Sequence, residues 1–152
     1  MIMNPALDQK LCDTFPKIFA ERSKPPAESA MHWGFQCGDG WFWLIYELCR
    51  ALQDRIDKNP GVPQVVATAV KSKLATLRFH YDGGDAIIEG MVELAELLSY
   101  SVCETCGTTQ DVGHTTEGWL ETSCKAHRSN RATWKPYERE PRTRGATDEN
   151  KS

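Results

Sequence analysis

The chain has 152 residues, of which 40% are hydrophobic and 26% charged, and its formal net charge is −3. This length and composition allow one moderate hydrophobic core and leave no room for a second catalytic domain. The longest apolar runs fall far short of the roughly 18 residues that a membrane span requires, and the N-terminus lacks a targeting pattern. We therefore expect a soluble, cytoplasmic protein.

The charge is distributed unevenly along the chain. Residues 1–127 contain eleven Lys/Arg and seventeen Asp/Glu, a net of −6, whereas residues 128–152 contain seven and four, a net of +3. Binding to a phosphate backbone needs a positive surface, so the acidic body argues against nucleic-acid binding by the folded part. The basic C-terminal segment is the one part of the chain whose charge suits nucleic-acid binding.

The first half of the chain is predicted to be helical. A short helix is expected up to Pro16, which ends it or redirects the chain into a second short piece over residues 16–22. The segment that follows, to about residue 30, is expected to form a loop. A long helix is expected from about residue 40 to 57, with Asp39 as its N-cap and the Asn-Pro-Gly sequence at 59–61 as its stop. Its buried side is predicted from residues that recur at helical spacing: Trp41, Leu44, Ile45, Leu48, Leu52 and Ile56.

A β-hairpin and a third helix follow. Residues 64–81 are rich in β-branched and aromatic residues, which predicts two antiparallel strands with a turn near residues 71–75. The Asp-Gly-Gly-Asp sequence at 82–85 then leads into a helix over residues 85–100. Its predicted buried side consists of Ile87, Ile88, Met91, Ala95 and Leu98. The sequence thus predicts an α+β core over residues 1–101, with helices packed on a small antiparallel sheet.

Four potential metal ligands follow the core. Cys103 and Cys106 form a CxxC pair, and Cys124 and His127 form a second pair, with seventeen residues between the two pairs. Zinc prefers four tetrahedral thiolate and imidazole ligands, and paired ligands from two tight turns supply them. The interval suits a β-hairpin with strands near 108–112 and 118–123. His114, in the predicted hairpin loop, is an alternative to His127 as the fourth ligand.

The predicted zinc site is structural rather than catalytic. Four protein ligands close the coordination sphere, whereas catalysis needs an open position for water or substrate. The HxE and PCxxC motifs of a nucleobase deaminase are also missing. We expect one structural Zn²⁺ in an annex at residues 102–128 that resembles a zinc ribbon or treble clef. Residues 129–152 are expected to be a disordered basic tail, and no catalytic site is predicted.

Two surfaces are predicted to contact a partner. In the long helix, Trp43 shares the polar face with Glu47 and Arg50, so that it is either exposed or covered by residues 22–37. An exposed tryptophan ringed by charges is typical of a binding hot spot. The second surface is an acidic strip on the third helix, formed by Glu89, Glu93 and Glu96. A solvated helix face has the same pattern, and that alternative stays open.

Several motifs follow one another along the chain: CGDGW at residues 37–41, TLRFHY at 76–81, and CETCG at 103–107 paired with GWLETSC at 118–124. They resemble the motifs of a group of small bacteriophage and prophage proteins. The resemblance covers about residues 34–128. Many of those proteins have a bulky aromatic residue and glycine at the hairpin turn, where this chain has Leu74 and Ala75. The resemblance implies a phage origin and a location in the host cytoplasm, but no activity.

Three classes of function are compatible with these features. The first is a non-enzymatic, zinc-stabilised phage protein that binds and modulates a host protein or defence component. The second is a nucleic-acid-associated factor that uses the basic tail, in which six cations alternate with Trp134 and Tyr137. The third is a protein that sequesters a small ligand, with Trp33, Trp41 and Arg78 in its pocket.

Overall fold

A computed structural model describes residues 1–138, which form an α+β fold. The three α-helices of this part are α1 (Pro5–Thr14), α2 (Phe42–Lys58) and α3 (Ala86–Ser99). One sheet has the strand order β1 (Phe35–Gln36), β2 (Val66–Lys73) and β3 (Thr76–Asp82). The other has the order β5 (Thr122–Cys124), β4 (Val112–Thr115) and β6 (Trp134–Pro136). The α+β class predicted from the sequence is confirmed.

Helix α2 provides a large part of the core, as its periodicity predicts. Trp41 just before it and Ile45, Leu48, Leu52 and Ile56 along it are buried. The helix ends at Lys58, and Asn59 is its C-cap, in agreement with the predicted stop. The predicted N-cap is wrong, because no side chain caps this helix end. The Asp39 carboxylate instead accepts a hydrogen bond of 2.7 Å from the backbone N–H of Asn4, the N-cap residue of α1.

The first sheet combines the predicted hairpin with a short strand that was not predicted. Strands β2 and β3 are antiparallel, and β1 pairs with β2 in parallel through Phe35 and Val70. Side chains of α3 accept hydrogen bonds from backbone N–H groups of β3. The Leu77 N–H donates to Ser99 Oγ at 2.8 Å, and the Phe79 N–H donates to Glu96 Oε1 at 2.9 Å. These bonds cover part of the edge of β3 that faces away from β2 and join α3 to the sheet.

The hairpin turn lies at Leu74 and Ala75, which both have left-handed backbone conformations, with φ of 53° and 63°. Positive φ at both central residues is the type I′ pattern, which asparagine followed by glycine adopts at much lower cost. We therefore expect the double variant Leu74→Asn/Ala75→Gly to raise the free energy of unfolding by about 1 kcal/mol. Urea denaturation followed by circular dichroism measures this. A destabilised variant would show that the buried methyl group of Ala75 contributes more than the strain costs.

Helix α3 buries only part of the side that was predicted, since Ile88 and Ala95 are buried as expected. Asp85 caps the helix as expected, with its Oδ1 accepting from the Ile88 N–H at 3.0 Å. The buried residues are Ile88, Val92, Ala95 and Ser99. Of the predicted core residues, Ile87 and Leu98 are instead 52% and 45% exposed. Because this helix has large apolar residues on more than one side, hydrophobic periodicity alone does not identify its core face.

The second sheet extends into the segment predicted to be a disordered tail. Strand β6 pairs with β4 in antiparallel fashion, opposite His114 and its neighbours. Trp134 Nε1–H also donates to the Ser123 carbonyl oxygen at 3.1 Å, which ties β6 to β5. The tail prediction therefore needs correction for residues 134–136, which form a strand. Residues 129–133 and 137–138 of the predicted tail form turns and irregular structure, whereas residues 139–152 lie outside the described residues.

Candidate metal centre

The four predicted ligands come together in the structure. One potential ligand atom from each of Cys103, Cys106, Cys124 and His127 lies within 4.8 Å of the other three. The Cys106 and Cys124 sulfurs are 4.0 Å apart, and His127 Nδ1 lies 3.3 Å from the Cys124 sulfur and 3.9 Å from that of Cys103. Ligand atoms around a tetrahedral ion with bonds of about 2.0–2.3 Å are separated by roughly 3.6 Å. The cluster can hold a metal ion.

Two tight backbone turns present these ligands. In the first, the Gly107 N–H donates to the Cys103 carbonyl oxygen at 2.8 Å, and Gly107 has a φ of 77°. Glycine adopts this left-handed conformation at little cost. In the second, Cys124 ends β5, and the His127 N–H donates to its carbonyl oxygen at 3.0 Å. The hairpin that connects the turns is formed by β4 and β5, which begin four residues later in the chain than the strands predicted.

The environment of the cluster favours thiolate formation at Cys103. Burial raises the pKa of its thiol, but backbone N–H groups of Cys106, Cys124 and Thr105 stabilise the thiolate more strongly and bring the pKa down to about 7. Cys103 and Cys124 are buried, whereas Cys106 and His127 are exposed. Since the thiolate is the metal-binding form of cysteine, the backbone around Cys103 is suited to a ligand. The exposed pair leaves a route for a metal ion to enter.

His114 is not part of the cluster. Its Nε2 lies 2.7 Å from the Tyr100 carbonyl oxygen, to which the N–H can donate. The imidazole also stacks on the Tyr100 ring with centroids 3.5 Å apart, and Tyr137 packs against both rings edge-on. Burial lowers the pKa of His114 and favours the neutral ring. Between the two candidates for the fourth ligand, the structure therefore places His127 at the cluster.

A junction joins the CGDGW segment, residues 37–41, to the cysteine turn, and it was not predicted from the sequence. The Gly40 N–H donates to the Glu104 carbonyl oxygen at 2.8 Å, and Trp41 Nε1–H donates to the Val102 carbonyl oxygen at 2.9 Å. A Cβ on Gly40 would meet the Cys103 carbonyl oxygen and lie 2.6 Å from the Gly107 nitrogen. Only a glycine lets the two backbones approach this closely. The two glycines of CGDGW were the feature of the sequence from which this close backbone approach could have been predicted.

Glu104, inside the CxxC pair, links this junction to the first sheet. Glu104 is only 4% exposed. The carboxylate accepts from the Gly38 N–H and from Ser72 Oγ, each at 3.0 Å. Burial raises the pKa of this carboxyl group, although both hydrogen bonds oppose that effect. The cysteine turn is therefore bonded to β2 and to the segment before α2.

The predicted surface around Trp43 is exposed. The Trp43 side chain is 61% exposed and is not covered by residues 22–37, the alternative that the sequence left open. Its ring contacts Phe42 and Tyr46 edge-on, and Lys10 Nζ lies 5.4 Å from its centroid. Glu47 and Arg50, on the same face, form an exposed ion pair of 2.7 Å with each other. These contacts hold the indole in place, while most of its surface faces solvent.

The other predicted residues have mixed locations. Glu89 and Glu93 are exposed on α3, but Glu96 belongs to the fold, since it accepts from the Phe79 N–H and pairs with Arg78 at 3.5 Å. The acidic strip is therefore reduced to two carboxylates. The predicted small-ligand pocket does not form as proposed, because Trp41 is fully buried and Trp33 is 59% exposed.

No protein-family model, curated protein or solved structure matches this chain. Among residues 1–138, every helix is too short or too polar to cross a lipid bilayer. The structure alone therefore gives the class of protein. It is an α+β protein with a cluster of three cysteines and one histidine that can hold a metal ion.

Proposed function

We propose that the protein is a non-enzymatic, zinc-stabilised binding protein that a bacteriophage uses to engage and modulate a host protein in the cytoplasm. The observation that carries this proposal is Trp43, a large aromatic side chain that is 61% exposed yet held by packing against neighbouring rings. Pre-ordered, exposed aromatic residues are the usual anchors of protein interfaces, because little entropy is lost when they bind. The phage origin rests on the motif resemblance, which supplies no activity.

Zinc is the metal that best suits the cluster. Three sulfurs and one imidazole are a soft donor set with the ligand number and spacing of structural zinc sites. All four positions around the ion would be filled by protein, which leaves none for water or substrate. The ion would then hold the two turns together, in the manner of a zinc ribbon or treble clef. This role supports a binding protein rather than a metalloenzyme.

Substitution of Trp43 tests the proposed contact surface. We expect Trp43→Ala to change the free energy of unfolding by less than about 1 kcal/mol, because the side chain is mostly exposed. Binding to a host protein should weaken by about 2 kcal/mol or more, the loss typical of a hot spot. Proteins retained from host lysate by the wild type identify the partner, and calorimetry with the purified partner then measures the affinity of each variant.

Trp119→Ala is the matched control, since Trp119 is another exposed tryptophan, 76% accessible, in a different part of the fold. It should bind the partner as the wild type does. Equal affinity of the wild type and Trp43→Ala would refute the role of Trp43, and early melting of Trp43→Ala would show that the residue belongs to the core.

A nucleic-acid function has one observation in its favour. A cleft of about 500 Å³ beside Cys124 is lined by Lys125, Arg128 and Arg131. None of these three side chains forms a salt bridge with another described residue. Asp111 lines the same surface and weakens its positive potential. Salt-sensitive binding of single-stranded DNA that is lost in Arg131→Gln would favour this second function.

A further inference from the structure

The arginines of the protein differ in whether a carboxylate compensates their charge. All four arginines before residue 128 form ion pairs with aspartate or glutamate, namely Arg22, Arg50, Arg55 and Arg78. Arg128 and Arg131 are the other two arginines of residues 1–138, and neither forms a salt bridge within that range. Both line the cleft beside Cys124. The unpaired guanidinium groups of this part of the chain are therefore concentrated at one place.

The guanidinium of Arg128 is held in position by Trp134. Its Cζ lies 5.2 Å from the centroid of the indole ring, and the indole Nε1–H is fixed by its hydrogen bond to the Ser123 carbonyl oxygen. The Arg128 Nε is buried and has no hydrogen-bond partner among the described residues. A partly buried guanidinium without a counterion costs free energy, which an anion at its Nη groups would recover. The side chain is thus pre-positioned for an anionic ligand.

Positive charge predominates in the cleft. Lys125, Arg128 and Arg131 share the lining with one carboxylate, that of Asp111. A zinc ion held by three thiolates and a neutral imidazole would add a single net negative charge beside Cys124, so part of the positive charge balances the metal cluster. The three cations still outnumber these two negative charges. The cleft therefore favours an anion, although the rest of the protein is acidic.

The composition of the lining favours the phosphate groups of a nucleic-acid strand. Guanidinium groups bind phosphate oxygens through several N–H donors at once. No aromatic side chain is among the residues that line the cleft, so a nucleobase would find no ring on which to stack. The cleft, at about 500 Å³, is also larger than one phosphate group. Contacts to successive phosphates position a strand without reading its sequence.

We propose that this cleft binds the phosphate backbone of a nucleic-acid strand, with Arg128 in contact with one phosphate and with Lys125 and Arg131 beside it. The inference rests on the nucleic-acid function raised above and deepens it, because it names a binding site and a sequence-independent mode of recognition. It is separate from the protein contact proposed at Trp43.

Fluorescence anisotropy of a short labelled oligothymidylate with the full chain tests the proposal. At low salt, Arg128→Gln should bind about fivefold more weakly than the wild type. The slope of log K against log salt concentration should fall in magnitude by about 0.7, the contribution of one phosphate contact in a single strand. Arg128→Lys should keep the slope but bind more weakly than the wild type, because lysine lacks the planar group that contacts both phosphate and indole.

Lys17→Gln is the matched control. Lys17 is exposed, lines a different cleft and forms no salt bridge with any residue that the structure describes. Its substitution removes the same charge and should leave strand binding unchanged. Lys125→Gln keeps the test decisive if Arg128→Gln melts early or loses zinc, since Lys125 is exposed. This second variant should bind the strand about threefold more weakly at an unchanged melting temperature.

Strand binding that neither Arg128→Gln nor Lys125→Gln weakens would overturn the proposal, and nucleic-acid association would then belong to another surface. So would weaker zinc binding by these variants with unchanged strand binding, because the cations would then serve the metal cluster alone. Displacement of the strand by AMP at equal phosphate concentration, or by polyglutamate at equal charge, would likewise overturn it in favour of a free nucleotide or an acidic peptide. Trp43→Ala should bind the strand normally, so failure here leaves the protein contact untouched.

Discussion

Removal of the metal should destabilise the whole fold and not only residues 102–128. Binding energy at a structural zinc site is largely folding energy, and the cysteine turn is bonded to the core through Glu104, Gly38 and Gly40. We expect chelation to lower the free energy of unfolding by about 5 kcal/mol or more, a large part of the stability of an ordinary domain. Thermal melting with and without a chelator measures the loss.

Hydrogen exchange distinguishes this coupling from local loosening. The amides of Gly38 and Gly40 donate to Glu104, so they should lose protection together with residues 102–128 when the metal is removed, and zinc should restore it. If exchange increases only within residues 102–128 while the core melts unchanged, the junction carries no stability and the region is a separable annex after all.

Gly40→Ala should be among the most damaging single-methyl changes in the chain. The added Cβ would meet backbone atoms of Cys103, Glu104 and Gly107, none of which can rotate away as a flexible side chain can. Overpacking of this kind costs about 3 kcal/mol, and the structure can relieve it only by moving the cysteine turn away from the core. We therefore expect a lower melting temperature and a weaker affinity for zinc, measured by competition with a chromogenic chelator.

Gly61→Ala is the control for the Gly40 variant, because a Cβ at position 61 would meet no atom within 4 Å. Its stability should stay within about 0.5 kcal/mol of the wild type. If Gly40→Ala matches this control in both stability and zinc affinity, the close approach of the two backbones does not hold the turn in place.

Local patterns predicted the elements in which one signal dominates. Helix α2 has one apolar side, so periodicity identified Leu48 and Leu52 as core residues, and both are buried. The cysteine and histidine spacing likewise identified the four residues of the cluster, because few arrangements other than a metal site explain two such pairs. Local sequence is sufficient where chemistry or spacing restricts the alternatives.

Features that depend on distant contacts were not predictable in this way. Ile87 and Leu98 were predicted as core residues together with Ile88, but the packing of α3 buries Ile88 and Val92 and leaves Ile87 and Leu98 exposed. The role of Glu104 depends on Gly38, 66 residues away, and no local pattern indicates that pairing. Strand β6 was not predicted for a similar reason. A short polar segment that contains proline forms a strand only when it can pair with a neighbouring edge, here that of β4.

The metal content of the purified full chain tests the central claim most directly. Elemental analysis of protein prepared without added metal should give about one zinc per chain. Cys106, which is exposed, should resist alkylation in this protein and react quickly once the zinc is chelated, because coordination consumes its thiolate. Protein that contains no zinc and whose Cys106 is alkylated at once in the native state would contradict the account.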